Sequence, residues 1–210
     1  MRVLVACEES QRVCLAFRER GHEAFSCDIQ PPSGGHPEWH LQGDALVAAY
    51  GGGWDLMIAH PPCTYLTNSG NRWYSLRCVT PEQAVERWDK RAQAAVFFMQ
   101  LMLAPVSRIA IENPIGYMSR AYRPADQIIS PWQFVTDEDD PEYVTKKTGL
   151  WLKGLPPLVK TGNLPDPTGR LGQSKTKGKN RTWTEYVAHS AKERSKTFYC
   201  IAAAMAEQWG

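Results

Sequence analysis

The chain has 210 residues, of which 43% are hydrophobic and 22% are charged. This length suits one α/β domain with a modest appendage, and the apolar content is sufficient for a core. No apolar run approaches the length of a membrane span, so the sequence argues against a membrane protein. The net charge of +2 averages over unlike regions and does not by itself indicate a partner.

The sequence also argues against a metal site and against secretion. The six cysteines include no Cys-x-x-Cys pair and no zinc-ligand spacing, and several lie in apolar contexts where cysteine acts as a small hydrophobe. His36 and His40 are four residues apart, but Pro37 argues against a common helix face. The chain enters a strand directly at its N-terminus, which predicts no signal peptide. We therefore expect a cytoplasmic protein without a metal.

The first elements form a β-α-β unit. Residues 2–7 are mostly apolar and β-branched, which predicts a buried parallel strand. Residues 10–20 show helical spacing, with Gly21 as the C-terminal cap. Residues 23–27 predict a second strand that ends at Asp28, and the crossover between the strands should be right-handed.

The alternation of strands and helices continues to residue 112. After a Pro/Gly-rich loop, Asp44 precedes a short helix over 45–50, and residues 56–59 predict the next strand. Thr80, Pro81 and Gln83 then form a strong helix start with a capping box. That helix should run to about residue 103, followed by a strand over 109–111. Its predicted core positions are Ala84, Trp88, Ala92, Ala95 and Met99. This order predicts a doubly wound, mostly parallel α/β sheet.

The periodicity weakens after Pro114. Residues 128–134 and 148–152 are strand candidates, and residues 191–209 predict a final amphipathic helix. Residues 154–181 are rich in Pro, Gly, Lys and Thr and predict an irregular insert, whose basic run is typical of a phosphate-binding loop or of a solvated loop. We expect a core over 1–153, an irregular basic insert over 154–190, and a C-terminal helix over 191–210 that packs on the core.

Two strands end at proline-stiffened polar corners. One reads Ala59-His60-Pro61-Pro62-Cys63, and the other reads Ile111-Glu112-Asn113-Pro114. In an open α/β sheet, ligands collect at such corners. Taken alone, Cys63 is more typical of an inert buried cysteine, but the second corner favours a functional site. A thiol nucleophile beside a carboxylic acid indicates covalent catalysis with proton transfer.

Further polar residues follow the first strands. Glu8, Glu9 and Ser10 follow strand one, Asp28 ends strand two, and Asp44 lies near a third position. A carboxylate at the end of strand two is the usual partner of a ribose diol. The Gly-x-Gly-x-x-Gly loop of dinucleotide sites is absent. A nucleoside cofactor without a pyrophosphate fits better, and S-adenosylmethionine is the commonest of these.

The two corners resemble the catalytic motifs of the cytosine-C5 DNA methyltransferases. The resemblance extends from residue 1 to about residue 116, and the stretch from Ser195 to Gln208 resembles the last motif of the family. The chain is similar to the small phage-borne members, which lack a large target-recognition domain. The resemblance implies the class I, Rossmann-like fold of the enzymes that use S-adenosylmethionine, and methylation of C5 of cytosine in DNA.

The resemblance also assigns roles to residues. Cys63 would attack C6 of the cytosine, Glu112 would engage N3 with Asn113 beside it, and the target base would be flipped out of the duplex. The implied cofactor-binding residues are Cys7, Glu8, Glu9, Ser10, Asp28, Ile29, Asp44, Ala45 and Pro61. The implied substrate-binding residues are Pro62, Lys147, Lys175, Lys177, Lys179 and Arg181.

The chain departs from the family pattern in three places. Ala6-Cys7-Glu8-Glu9-Ser10 replaces the usual Phe-x-Gly-x-Gly, and Glu-Asn-Pro replaces Glu-Asn-Val. The Gln-x-Arg-x-Arg strand that contacts the cytosine carbonyl has its nearest counterpart in Lys146-Lys147-Thr148, with Arg181 as a second candidate. Alternative hypotheses keep the core but use a free pyrimidine nucleotide, a single strand or a modified sulfonium donor, or treat the chain as a non-catalytic DNA-binding relative.

Overall fold

A computed structural model describes residues 1–167 and 195–210. Its centre is a seven-stranded sheet in the order β3-β2-β1-β4-β5-β7-β6. The first five strands in the chain are parallel to one another, while β7 is antiparallel to both β5 and β6. The strands are β1 Arg2–Ala6, β2 Glu23–Asp28, β3 His40–Gln42, β4 Leu56–Ala59, β5 Ile109–Pro114, β6 Gln127–Ile129 and β7 Thr148–Lys153.

Helices cover both faces of the sheet. The described helices are α1 Arg12–Glu19, α2 Ala45–Tyr50, α3 Pro81–Met102, α4 Met118–Ala121 and α5 Tyr199–Trp209. Because side chains alternate along a strand, Val3 and Val5 join the layer of α1 and α5, while Leu4 and Ala6 join the layer of α2 and α3. The parallel strands are buried on both sides, as their near-continuous apolar sequences predict.

The predicted fold class is confirmed. The sheet is doubly wound and mostly parallel, and its strand order is that of the class I, Rossmann-like methyltransferases. The chain runs outward from β1 to β3 and then returns to place β4 on the other side of β1. The carboxyl ends of β1 and β4 therefore flank the switch point of the sheet, where ligands bind in folds of this kind.

Several element boundaries were predicted closely. The strand over 56–59 and the helix over 45–50 have the predicted limits. Thr80 caps α3 through a capping box with Gln83, and Pro81 is the first helical residue. Gly21 follows α1 with φ of 81°, a left-handed conformation that glycine adopts without steric cost. Local capping chemistry was therefore sufficient to place these ends.

Four predictions from the sequence were wrong. The final helix, predicted over 191–209, begins at Tyr199, because residues 196–198 are not helical. The loop after β2 contains an additional edge strand, β3, which has only three residues. The predicted strand over 128–134 ends at Ile129, because Pro131 begins a 3-10 turn that reaches Phe134. On α3, Trp88 and Ala92 are exposed, and the buried positions are Ala84, Arg91, Phe98, Leu101 and Met102.

The described start of the insert packs on the core. Gln127 exchanges two hydrogen bonds with the backbone of Leu158, and the Tyr143 hydroxyl donates to the carbonyl of Pro165. Trp209 at the end of α5 donates to the carbonyl of Pro156. Residues 168–190 of the predicted insert and the first four residues of the predicted final helix, 191–194, lie outside the described residues.

The final helix is capped by a residue distant in sequence. The carboxylate of Glu142 accepts hydrogen bonds from the backbone amides of Tyr199 at 2.8 Å and Cys200 at 2.7 Å. These amides are among the first of α5, which have no partners within the helix. One member of the acidic run at 137–142 therefore ties the C-terminal segment to the loop before β7.

We expect Glu142→Ala to lower the free energy of unfolding by about 1–2 kcal/mol, because it removes both cap hydrogen bonds and a negative charge at a helix N-terminus. Urea denaturation measures this change. Asp139→Ala removes the same charge from an exposed position of the same run and is the control. Equal destabilisation by the two substitutions would contradict the capping role.

Candidate active site

The register of the sheet brings three chain corners together. Ala6 pairs with Ala59, and Ala59 pairs with Ile111. Cys7 and His60 therefore leave the sheet at one edge, beside Glu112, where β5 continues to Pro114 in pairing with β7. The amide of His60 donates to the carbonyl of Ala6 at 2.9 Å, which continues the pairing of β1 and β4 by one residue.

A buried ion pair lies at this edge. His60 Nδ1 is 3.0 Å from Glu112 Oε2, and the two side chains are 8% and 17% exposed. Burial opposes ionisation of both groups, but each offsets this effect in the other. The hydrogen bond to His60 and its charge, with help from Lys146 and Thr148, lower the pKa of Glu112. The hydrogen bond to Glu112 and its charge, together with Glu8, raise the pKa of His60.

The two proline corners are tied together directly. The side-chain amide of Asn113 donates to the carbonyl of Pro61 at 2.8 Å and is buried. The carbonyl of Cys63 accepts from the amides of Leu66 and Thr67, which folds the chain after the thiol into a tight turn. The structure thus places Asn113, predicted as a catalytic residue, as the link between the loop of Cys63 and strand β5.

A close backbone approach fixes the far side of the same turn. The amide of Tyr117 donates to the carbonyl of Leu66 at 2.7 Å, and Thr67 bridges to Gly116. A Cβ atom on Gly116 would lie 2.1 Å from the carbonyl oxygen of Leu66, so this position requires glycine. The Cys63 turn is therefore held from β5 on both sides.

Cys63 lies within electrostatic reach of an acid and a base. Burial and the nearby Glu112 carboxylate raise the pKa of the thiol, while the ammonium group of Lys146 lowers it. Burial also lowers the pKa of Lys146, and its interactions with Glu112 and Cys63 oppose that shift. Lys147, which was predicted to bind the substrate, is exposed. The lysine that acts on the thiol is instead the preceding residue, Lys146.

The direction of β7 explains why Lys146 reaches the site. Because β7 is antiparallel to β5, its first residue Thr148 pairs with Pro114 at the end of β5. The residues that precede β7 therefore lie at the edge where the parallel strands end. A strand-direction argument could have found Lys146 from the sequence, whereas choosing between two adjacent lysines needed the coordinates.

We expect Lys146→Met to slow alkylation of Cys63 by iodoacetamide at neutral pH roughly three- to tenfold, because loss of the cation raises the thiol pKa and depletes the thiolate. Peptide mass spectrometry at Cys63 separates this signal from that of exposed Cys78. Lys147→Met is the matched control and should leave the rate near that of the parent. The reverse pattern would show that the structure assigns the wrong lysine.

The side chain of Glu8 serves the first helix. Its carboxylate accepts from the amides of Val13 at 2.7 Å and Cys14 at 3.2 Å, and it is buried. Burial raises its pKa. The predicted cofactor residue Glu8 thus caps the N-terminus of α1, which differs from the role that the sequence suggested.

Several predicted cofactor residues lie together beside β1 and β2. Burial raises the pKa of the Cys7 thiol, and the carboxylates of Asp28 and Asp44 raise it further, so all three groups are close. Asp28 accepts from the amide of Gln30, while Asp44 caps α2 by accepting from the amide of Leu46. Ala45, which follows Asp44, is buried under them.

This group of residues fits a nucleoside. Ile29 is 76% exposed directly after Asp28, which places a bare apolar side chain next to a carboxylate. A purine nucleoside presents an apolar ring face, a diol and an exocyclic amine, which need an apolar partner and carboxylate acceptors. Pro61, predicted at the methyl donor, is buried at the neighbouring corner, and Pro62 is exposed beside Cys63.

The first loop achieves a tight turn without glycine. Cys7 and Gln11 have φ of 60° and 61°, in the left-handed region. The loop over 31–37 packs on this turn, and the amide of Ser33 donates a hydrogen bond to the carbonyl of Glu9. A Cβ atom on Gly34 would lie 2.7 Å from the carbonyl of Ser10, so glycine is required there instead. This tight turn is thus built from residues with positive φ and a close-packed neighbouring loop.

A buried arginine supports the loop after Cys63. Arg91 on α3 is 5% exposed and donates to the carbonyl of Tyr65 and to Asn71, each at 2.9 Å. Its guanidinium lies 3.5 Å from the ring centre of Tyr74, with Trp88 also near. Sequence reasoning missed Arg91 because a charged residue in a helical pattern predicts an exposed face.

We expect Arg91→Lys to lower the free energy of unfolding by about 1–3 kcal/mol and to speed proteolysis within residues 64–79, because an ammonium group cannot reproduce the planar fork and stacking. Limited proteolysis with mass spectrometry measures the loop. Arg77→Lys, at an exposed position of the same loop, is the control. Unchanged cleavage in Arg91→Lys would contradict the supporting role.

The basic residues Lys175, Lys177, Lys179 and Arg181, predicted to contact the substrate, lie outside the described residues. Among the described residues, no group of three or more acidic, histidine or cysteine side chains is placed to hold a metal ion. Within the same ranges, no helix has the length and apolar character needed to cross a membrane.

Comparison with known proteins finds a likeness to solved structures alone. No family model and no curated protein matches the chain. Among solved structures, the chain is similar to the crystal structure of S. pombe Dnmt2 methyltransferase, with a TM-score of 0.42 and 16% sequence identity. The match covers 86% of this chain and 58% of that one, so the chain spans little more than half the length of this neighbour. The likeness is one of fold.

Proposed function

We propose that this chain transfers a methyl group from S-adenosylmethionine to C5 of cytosine in DNA. The observation that carries the proposal is the convergence of Cys63, Glu112 and Lys146 at one corner of the sheet. A thiol, a carboxyl group and a cation are the groups needed to add to a pyrimidine ring and to stabilise the adduct. Asp28, Ile29 and Asp44, which offer carboxylates and an exposed apolar side chain, lie at or just after the ends of β2 and β3 at the same edge.

The chemistry starts at Cys63. Its thiolate adds to C6 of the base, while Glu112 protonates N3 and accepts from the exocyclic amine. Electron density would then rest on C5, which would take the methyl group as the bond between that group and the sulfonium sulfur breaks and S-adenosylhomocysteine leaves. A base removes the C5 proton, the bond between Sγ and C6 breaks, and the thiolate returns. Lys146 stabilises the thiolate and is suited to contact the carbonyl oxygen of the cytosine, in place of the family's arginine.

When bound, S-adenosylmethionine supplies the electrophilic methyl group. Asp28 is proposed to hold the ribose hydroxyls, Asp44 the adenine amine, and Ile29 the face of the ring. The turn from Cys7 to Ser10 is proposed to bind the amino-acid end of the cofactor. Pro61 then lies between the two binding regions.

The geometry of the thiol and the charge of the insert support DNA as the proposed substrate. A cytosine in a duplex cannot reach a half-buried thiol, so the base must be flipped out of the helix. The basic run over 170–181 is proposed to contact phosphates as part of a reduced target-recognition region over 154–190. Binding that depends on these cations would weaken as salt concentration rises.

Methylation of mixed-sequence DNA, read by nucleoside mass spectrometry, tests the proposal. We expect Cys63→Ala to abolish transfer and Glu112→Gln to reduce it roughly 10²- to 10⁴-fold, because the first loses the nucleophile and the second the proton donor. Both variants should keep their binding of S-adenosylhomocysteine in isothermal titration. Methylation by Cys63→Ala would overturn the mechanism.

A trapping experiment identifies the bond and separates the alternative substrates. DNA with 5-fluorocytosine should form a stable adduct with Cys63, because fluorine at C5 cannot leave as a proton. Parallel reactions with single-stranded DNA and with free pyrimidine nucleotides test the other substrate classes. Binding of DNA without binding of S-adenosylhomocysteine would instead favour a non-catalytic protein.

A further inference from the structure

His60 occupies an unusual place at the proposed site. It precedes the two prolines and Cys63, and its Nδ1 atom lies 3.0 Å from Glu112 Oε2 and 3.5 Å from the hydroxyl of Thr197. Its Nε2 atom is buried and has no hydrogen-bond partner among the described residues. A histidine is the only side chain with an ordinary pKa near neutrality, so its place beside Glu112 has chemical consequences.

Three charged groups act on this imidazole, and a fourth acts on two of them. Glu112 comes from β5, Glu8 follows β1, and both raise the pKa of His60. Lys146 precedes β7 and lowers it. Arg12 on α1 acts on Glu8 and on Lys146. Of these charged groups, Glu112 is the one that the described residues place in direct hydrogen-bond contact with the ring.

The imidazole is not needed to hold the two corners together. Asn113 already joins β5 to the Pro61 corner, and the amide of His60 holds β4 to β1 through Ala6. A neutral amide side chain at position 60 could also donate to Glu112. The property that only histidine adds here is a proton that can leave near neutral pH.

We propose that His60 is a positioning residue that shares one proton with Glu112 and delivers it to the carboxyl group when a base ring enters. This inference rests on the proposed function. Without a base, the proton resides on the imidazolium, which faces the Glu112 carboxylate. The pair therefore holds a proton that it can donate at neutral pH. Glu112 alone would be ionised at that pH and could not donate one.

The proton is conserved through the reaction. As the Cys63 thiolate adds to C6, one proton passes from His60 Nδ1 to the carboxyl group of Glu112, and from that group to N3 of the cytosine. The N–H bond at the imidazole breaks and an N–H bond at N3 forms. When the thiolate leaves, the proton returns by the same route, and the C5 proton is lost separately to a base.

The pH dependence of His60→Asn tests the shared proton. Asparagine keeps an N–H donor near the Nδ1 position but does not titrate, so only Glu112 can hold the proton. In the parent, the pair keeps its shared proton at pH values below the raised pKa of His60, and activity falls above that pKa. We expect the alkaline limb of the kcat profile of His60→Asn to move to lower pH by about one unit or more.

An unshifted alkaline limb in His60→Asn would overturn the proposal. A purely structural role would scale kcat at every pH and leave the alkaline limb where it is in the parent. His60→Ala, which also loses the donor to Glu112, should be less active than His60→Asn at the acidic end of the range.

A second measurement works without any activity. Titration of the His60 ring by NMR, with its signal identified by its loss in His60→Asn, gives its pKa in the parent and in Glu112→Gln. We expect that pKa to fall by about one unit or more in Glu112→Gln, because a neutral amide does not favour the imidazolium. An unchanged pKa would overturn the shared proton, even if methylation is found. An absence of methylation would overturn the proposed function and leave this test valid.

Discussion

The proposed chemistry depends on the parallel pairing of β4 with β5. Ala59 and Ile111 are register partners, so His60, the first residue after β4, lies beside Glu112 of β5. The distance of 3.0 Å between their side chains follows from that alignment. A slip of one residue would turn one of these side chains to the opposite face of the sheet, because side chains alternate along a strand. The apolar residues of both strands, buried in both layers, fix the register.

Opposite charges offset part of the cost of burying this edge. Glu8 and Glu112 contribute carboxyl groups, and His60, Lys146 and Arg12 contribute basic groups. An isolated charge in such a place would be neutralised by a shift of its pKa. Here each carboxylate has donors of its own, since Glu8 caps α1 and Glu112 faces the imidazole. The pKa of the Cys63 thiol is subject to opposing effects, since Glu112 raises it and Lys146 lowers it.

The sequence predicted what local rules determine. The capping box at Thr80 and the buried strands followed from capping chemistry and hydrophobic runs. The edge strand β3 was missed because a three-residue strand with two polar residues has little pattern to detect. Trp88 was placed in the core from its spacing, yet its ring packs edge-on against Tyr74 and Tyr117 and stays largely exposed. The corners of Cys63 and Glu112 were predicted, but their coupling through His60 and Lys146 depends on register and strand direction.

The loop that carries Cys63 is held from three directions. Asn113 binds its start, Gly116 and Tyr117 bind its middle through Leu66, and Arg91 on α3 binds the carbonyl of Tyr65. Backbone carbonyls of the loop accept most of these hydrogen bonds. The position of the loop therefore depends little on the identity of its side chains. A thiol fixed in this way does not need substrate binding to order it, and ordering a flexible loop would otherwise reduce the affinity for the substrate. The same arrangement leaves Pro62 exposed beside Cys63, so in the proposed reaction a substrate could contact this face without displacing the thiol.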